Sequence, residues 1–237
     1  MKKNKSMSKM ILIIDPFLKQ PAAEAFNVIS YLHHQAQKEL NSFQSYIEIF
    51  FPLYSNISLE EYISRLHQNG RKIIGVISLG SYVNITDRPE WINLFGKDLK
   101  ENIIEQSIPF LGICFSHQLF GWIYGSNVDY IQNRDQIPDG KYNEFRNIKV
   151  SHDRLKNILG GKSSFISKAK HEQEVKTVND EFLEICCTGE KCRIEGLMHR
   201  KFPSFSVQSH PEEFHESGDG FHFIKNFIYF FINSAHK

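Results

Sequence analysis

The chain has 237 residues, with 28 Lys and Arg against 27 Asp and Glu and a formal net charge of +1 at neutral pH. That balance gives no electrostatic case for nucleic acid or an anionic membrane as a partner. Apolar residues at 41% and charged ones at 23% suit a globular chain long enough to bury a full core.

The first half alternates strand and helix patterns. Ile11 to Ile14 reads as a strand that stops at Asp15-Pro16, and 22–40 follows with helical periodicity (Ala25, Val28, Ile29, Leu32). Tyr46 to Phe51 reads as a second strand, ended by Pro52. Ser58 to Glu61 has the form of a capping box and opens a helix running to the stop pair Asn69-Gly70. Ile73 to Ile77 is a third buried strand, Pro89 opens a helix toward Gln106, and Pro109 to Ile113 is the fourth strand. Such alternation implies parallel strands with ligand sites at their carboxyl ends, where Leu79-Gly80-Ser81 and Cys114 both fall.

The second half changes character. Short β-type runs at Phe145–Val150, Phe182–Cys187, Arg193–Met198 and Phe205–Val207 are separated by turns, which predicts antiparallel or mixed strands added to the side of the sheet. A last helix is expected from about Gly220 to Ala235. Its apolar run, Phe221 to Ile232, is interrupted by Lys225 and Asn226 and falls short of the roughly 20 apolar residues of a membrane span. At the other end, the apolar run after the basic start is too short for a signal peptide. The expectation is one domain over 1–237, core about 10–233, in the cytoplasm.

Cysteines stand at 114, 186, 187 and 192. A disulfide framework is not expected in so long a chain without a secretion signal, and the spacing matches no zinc pattern, so no metal is predicted. Cys186 and Cys187 read as strand core. Cys114 differs, because it sits between a buried strand and a helix that begins at Phe115. That turn lifts a sulfur out of the sheet, and a helix N-terminus favours its anion.

Near the C-terminus, Ser206 to Glu212 contains Gln208, His210, Pro211 and Glu212. Pro211 bars a helix and biases His210 toward extended backbone, where residues two apart point the same way. His210 and Glu212 can then lie side by side. A carboxylate holding an imidazole that serves a thiol is the logic of a nucleophile–base–orienter triad. Taken alone, a His-Pro-Glu sequence is a loop turn.

Together, the elbow Gly112-x-Cys114-x-Ser116-x-Gln118 and the downstream Gln208-x-His210-Pro211-Glu212 resemble the class I, triad-type glutamine amidotransferases. Ile77 to Ser81, followed by Asp87 to Trp91, looks like that family's oxyanion strand and the helix after it. Lys170 to Val175 looks like its His-x-x-x-Val loop beside the glutamine pocket. The resemblance implies a flavodoxin-like α/β three-layer sandwich with a central, mostly parallel sheet. It also implies Cys114 as nucleophile, His210 as base and Glu212 as orienter, with oxyanion donors from Phe115 and the Gly80-Ser81 turn. Gln118 and His171 would border the substrate.

No cofactor is implied. The implied substrate is glutamine or a γ-glutamyl compound, and the implied partner is a separate synthetase or acceptor subunit that takes the ammonia. The alternatives are a stand-alone γ-glutamyl peptidase and a catalytically weak binding protein on the same fold. The sequence departs from the family at Ser116, where glycine is usual, and its extra hydroxymethyl is expected to crowd the elbow or pocket. Leu79 and Ser81 replace the family's common Gly and Pro.

Other residues have plainer readings. His33 and His34 belong to a solvated helix face, and His117 is a local packing or surface residue. Gly160 to Ser163 is a turn, since the earlier glycine of a phosphate loop is missing.

Overall fold

The computed structural model describes residues 7–17, 23–34, 45–87 and 90–234. The elements of the first half are β1 (Ser8–Ile14), α1 (Ala23–His34), β2 (Ser45–Phe50), α2 (Leu59–Gln68), β3 (Arg71–Ser78), α3 (Glu90–Leu99), β4 (Phe110–Ile113) and α4 (Phe115–Ile123). The second half contributes β5 (Asn127–Tyr130), β6 (Glu144–Val150), α5 (Asp153–Ile158), β7 (Ser164–Ala169), β8 (Gln173–Thr177), β9 (Leu183–Thr188), β10 (Gly196–His199), β11 (Ser204–Val207) and α6 (Gly220–Ser234).

Nine strands form one sheet in the order β2-β1-β3-β4-β11-β10-β9-β6-β7, and β5 and β8 pair as a separate ribbon. From β2 through β11 every neighbour is parallel; from β11 to β7 every pairing is antiparallel. The side chains of β1 explain why this first part reads as continuous apolar runs. Ile11 and Ile13 enter a core with α1, α5 and α6, whereas Met10, Leu12 and Ile14 enter a second core with α2, α3 and α4. A strand covered on both faces has no polar side.

Local signals act as their chemistry dictates. Ser58 Oγ accepts the Glu61 N–H at 3.1 Å and caps α2, but only half of the capping box forms, because Glu61 pairs with Arg65 at 2.6 Å instead. The helix expected from Pro89 to Gln106 is α3 followed by a π turn over Lys100–Ile104, where the Glu105 N–H reaches the Lys100 carbonyl. Pro89, the stretch 35–40 of the first expected helix and the side chains of His33 and His34 lie outside the described residues. No helix among the described residues is long and apolar enough to cross a membrane.

The second half differs from expectation in one respect that decides the site. β11 is not an addition to the side of the sheet but a central, parallel strand next to β4, with Val207 opposite Ile113. Its four residues are all buried, which hides the alternation that would have marked a half-exposed strand. This pairing brings the chain after β11 beside the chain after β4.

Candidate active site

Cys114 follows β4 directly and precedes α4, with φ +51° and ψ −104°. A non-glycine residue there costs on the order of 1–3 kcal/mol and must be held by its surroundings. The Cys114 N–H donates to the Val207 carbonyl at 2.9 Å, and its own carbonyl accepts from His117 and Gln118 N–H at 3.0 Å each. The tight turn also explains Gly112. A Cβ there would stand 2.9 Å from the Ser116 carbonyl oxygen and 3.0 Å from the Phe110 ring.

Beyond β11, the His210 N–H bonds the Lys168 carbonyl at 2.7 Å, which seats this extended segment against β7. His210 Nδ1 lies 2.7 Å from Glu212 Oε1, with both side chains buried. Burial by itself would lower the His210 pKa. The charges of Cys114 and Glu212, with the hydrogen bonding they offer, outweigh burial and raise it well above the ordinary value. The other ring nitrogen, Nε2, is left without a partner of hydrogen-bonding geometry. Gln208 contributes a contact that the sequence pattern did not assign: its Nε2 lies 3.7 Å from Cys114 Sγ. The signal was available, since Gln208 stands two residues before His210 on extended chain.

Gly80 closes the site from the end of β3. A Cβ on it would come within 3.0 Å of His210 Cε1 and 3.6 Å of Cys114 Cβ, so the backbone itself borders the sulfur and the imidazole. The Gly80 and Phe115 N–H groups have no hydrogen-bond partner among the described residues. Ser81 turns its hydroxyl elsewhere, donating to the Pro16 carbonyl at 2.8 Å and accepting from Val83 N–H at 3.3 Å. Ser116 does not crowd the elbow. Its side chain is fully buried away from the pocket, bonding Leu79 O and Ser78 Oγ at 2.7 Å each. A hydroxyl that finds two polar partners fits where an unpaired one would not.

A cavity of about 190 Å³ opens over Cys114 and His210. Gln118 and His171 line it, as the sequence pattern implies. Gln118 Nε2 donates to the Gln173 carbonyl at 2.7 Å and to Gln208 Oε1 at 3.3 Å, which fixes its amide. His171 Nδ1 lies 2.9 Å from the Gln173 carbonyl, and burial pushes its pKa down to about 3, so the ring is neutral. Asp139, Lys141, Lys170 and Glu172 give the lining groups of both signs.

His117 is buried rather than at the surface, with Nδ1 2.9 Å from Ser206 Oγ. Cys186 and Cys187 are core of β9, and Gly160 and Gly161, at φ +69° and +87°, form the turn expected of them. Among the described residues no group of His, Cys, Asp and Glu is arranged to hold a metal. A thiol, an imidazole oriented by a carboxylate, and two unpaired N–H groups beside one pocket are equipped for acyl transfer at a carbonyl.

Comparison with known proteins agrees with this geometry. One subunit of the glutamine-hydrolyzing GMP synthase of Methanopyrus kandleri is 33% identical over 129 residues, 53% of this chain and 64% of that protein. The corresponding subunit of Methanocaldococcus jannaschii is 32% identical over 124 residues, covering 52% of this chain and 61% of that one. The chain thus spans less than two thirds of the length of the curated relatives it matches. Among solved structures, a GMP synthase subunit of Thermoplasma acidophilum superposes with a TM-score of 0.67 at 18% identity, over 97% of this chain and 96% of that one. The CTPS glutaminase domain of Trypanosoma brucei, solved with bound acivicin, gives 0.66 at 15% identity, over 96% and 94%. At those identities the likeness is one of fold. The family model for class-I glutamine amidotransferases matches residues 95–230, a stretch that holds Cys114, His210 and Glu212 and more than half of the chain, and the protein belongs to that family.

Proposed function

We propose that the protein hydrolyses the side-chain amide of glutamine through a γ-glutamyl thioester and releases ammonia for transfer. The observation that carries this reading is the elbow cysteine beside an imidazole whose far nitrogen is held 2.7 Å from a buried carboxylate. Cys114 sulfur attacks the amide carbon while His210 Nε2 takes, or already holds, the thiol proton. The proton then passes to the leaving nitrogen, the C–N bond breaks and ammonia departs. Water, deprotonated by His210, attacks the thioester; the C–S bond breaks and glutamate leaves. Glu212 keeps the ring oriented and stabilises its charged form. The Phe115 and Gly80 N–H groups would receive the oxyanion, and each such donor is typically worth about 2.7–4 kcal/mol. Gln118, Gln208 and His171 border the substrate.

The same reading takes the chain as one domain over 1–237 that hands ammonia to a separate synthetase subunit. The names of its relatives, each a subunit of a glutamine-hydrolyzing synthase, support that assignment. Four cysteines, all free, fit the reducing cytoplasm.

The test compares glutamine with γ-glutamyl dipeptides as substrates. Release of ammonia and glutamate from glutamine is the expected result. Hydrolysis confined to γ-glutamyl dipeptides would make the enzyme a peptidase, and turnover of neither in folded protein would overturn the enzymatic reading.

A further inference from the structure

Resting on that reading, we propose that Ser116 is a positioning residue whose hydroxyl sets the direction of the Gly80 N–H, one of the two oxyanion donors. Ser116 Oγ donates to the Leu79 carbonyl at 2.7 Å and lies 2.7 Å from Ser78 Oγ. A hydroxyl has one hydrogen. With that hydrogen on the Leu79 carbonyl, Ser78 must be the donor to Ser116, so the bonds run in one direction from Ser78 through Ser116 to Leu79. All three side chains are fully buried, and no water competes for these bonds.

The consequence follows from peptide geometry. No peptide bond among the described residues is cis. In a trans peptide the carbonyl of one residue and the N–H of the next lie in one plane and point opposite ways. Holding the Leu79 carbonyl toward Ser116 therefore holds the Gly80 N–H away from it. Rotation of this peptide is otherwise easy, because Gly80 has no Cβ to oppose it. On the preceding side, the Leu79 N–H is fixed to the Ile14 carbonyl at 2.9 Å. The hydroxyl also lies one residue beyond Phe115, the source of the second donor. One side chain thus ties the helix that carries one donor to the strand end that carries the other.

A clamp of this kind predicts a defect in the transition state rather than in binding or in the thiol. Ser116→Ala and Ser116→Gly should lower kcat for glutamine roughly 10- to 100-fold, less than outright loss of a donor because the N–H remains but is free to turn. KM should change by no more than about twofold. Alkylation of Cys114 by iodoacetamide, which develops no oxyanion, should proceed at the wild-type rate. Ser78→Ala should give a smaller loss of the same pattern and serves as the second variant if Ser116 variants fold poorly. Wild-type kcat in folded Ser116→Ala would overturn the clamp while leaving the proposed reaction standing. A loss lying wholly in KM, or an equal fall in alkylation rate, would overturn it as well. Wild-type protein that neither hydrolyses glutamine nor is alkylated at Cys114 would overturn the proposed reaction and the clamp together.

Discussion

His210 and Glu212 stand two residues apart across Pro211, with Nδ1 2.7 Å from Oε1, both buried and both on the chain that leaves β11. The bond leaves the opposite nitrogen, Nε2, free to serve the Cys114 sulfur. Glu212→Gln keeps the shape but loses the charge that supports an imidazolium. Turnover of glutamine should fall by about 100-fold or more, with little change in KM. Wild-type turnover in this variant would mean that the carboxylate does not orient the base.

The ionisation of His210 offers a direct check on its neighbours. Burial lowers its pKa, and Cys114 with Glu212 raises it well above the usual value. In Cys114→Ala one of the two raising groups is gone, so the ring should titrate at lower pH than in wild type. Proton NMR of the ring across pH measures this. An unchanged titration would show that the thiol and the imidazole do not interact.

Gly80 is predicted to tolerate no side chain without a functional cost. A Cβ there would stand 3.0 Å from His210 Cε1, a buried ring with little room to yield. Gly80→Ala should cost roughly 1–3 kcal/mol of stability and reduce turnover well beyond what that loss explains. Denaturant titration beside steady-state kinetics separates the two effects. Full activity in the variant would place the oxyanion donor elsewhere.

Buried histidine also makes stability depend on pH. Burial pushes His117 down to about 3, whereas the unfolded side chain titrates near 6.5. As pH falls through that window the unfolded chain takes up the proton first, so folding stability is full above about 6.5 and lost below it. One such group changes stability by up to about 1.4 kcal/mol per pH unit. His117→Asn can still bond Ser206 but cannot titrate, so its stability should fall less steeply than wild type between about pH 6 and 4. Equal slopes in urea titrations would contradict the buried neutral ring.

Much of this was legible in the sequence because the signals are local. The four parallel strands of the first half show as short apolar runs, and the α2 cap and the Gly160-Gly161 turn each depend on residues within a few positions. The triad residues are legible because motif spacing carries them. What stayed hidden is set by partners distant in sequence. β5 and β8 are only four and five residues long and pair with each other across more than forty residues. The parallel seat of β11 beside β4 depends on a pairing that its own fully buried residues do not announce. Ser116 gave the opposite difficulty. Its identity predicts crowding, and only the approach of Ser78 and the Leu79 carbonyl reveals that the hydroxyl has a place.

The central claim is that Cys114 is a nucleophile activated by His210, and covalent labelling with an electrophilic glutamine analogue tests it most directly. Intact-mass analysis of folded wild-type protein at neutral pH should show a single adduct, mapped to Cys114, that forms much more slowly in His210→Ala. Labelling at another cysteine, equal rates in the two proteins, or no adduct at all would contradict the account.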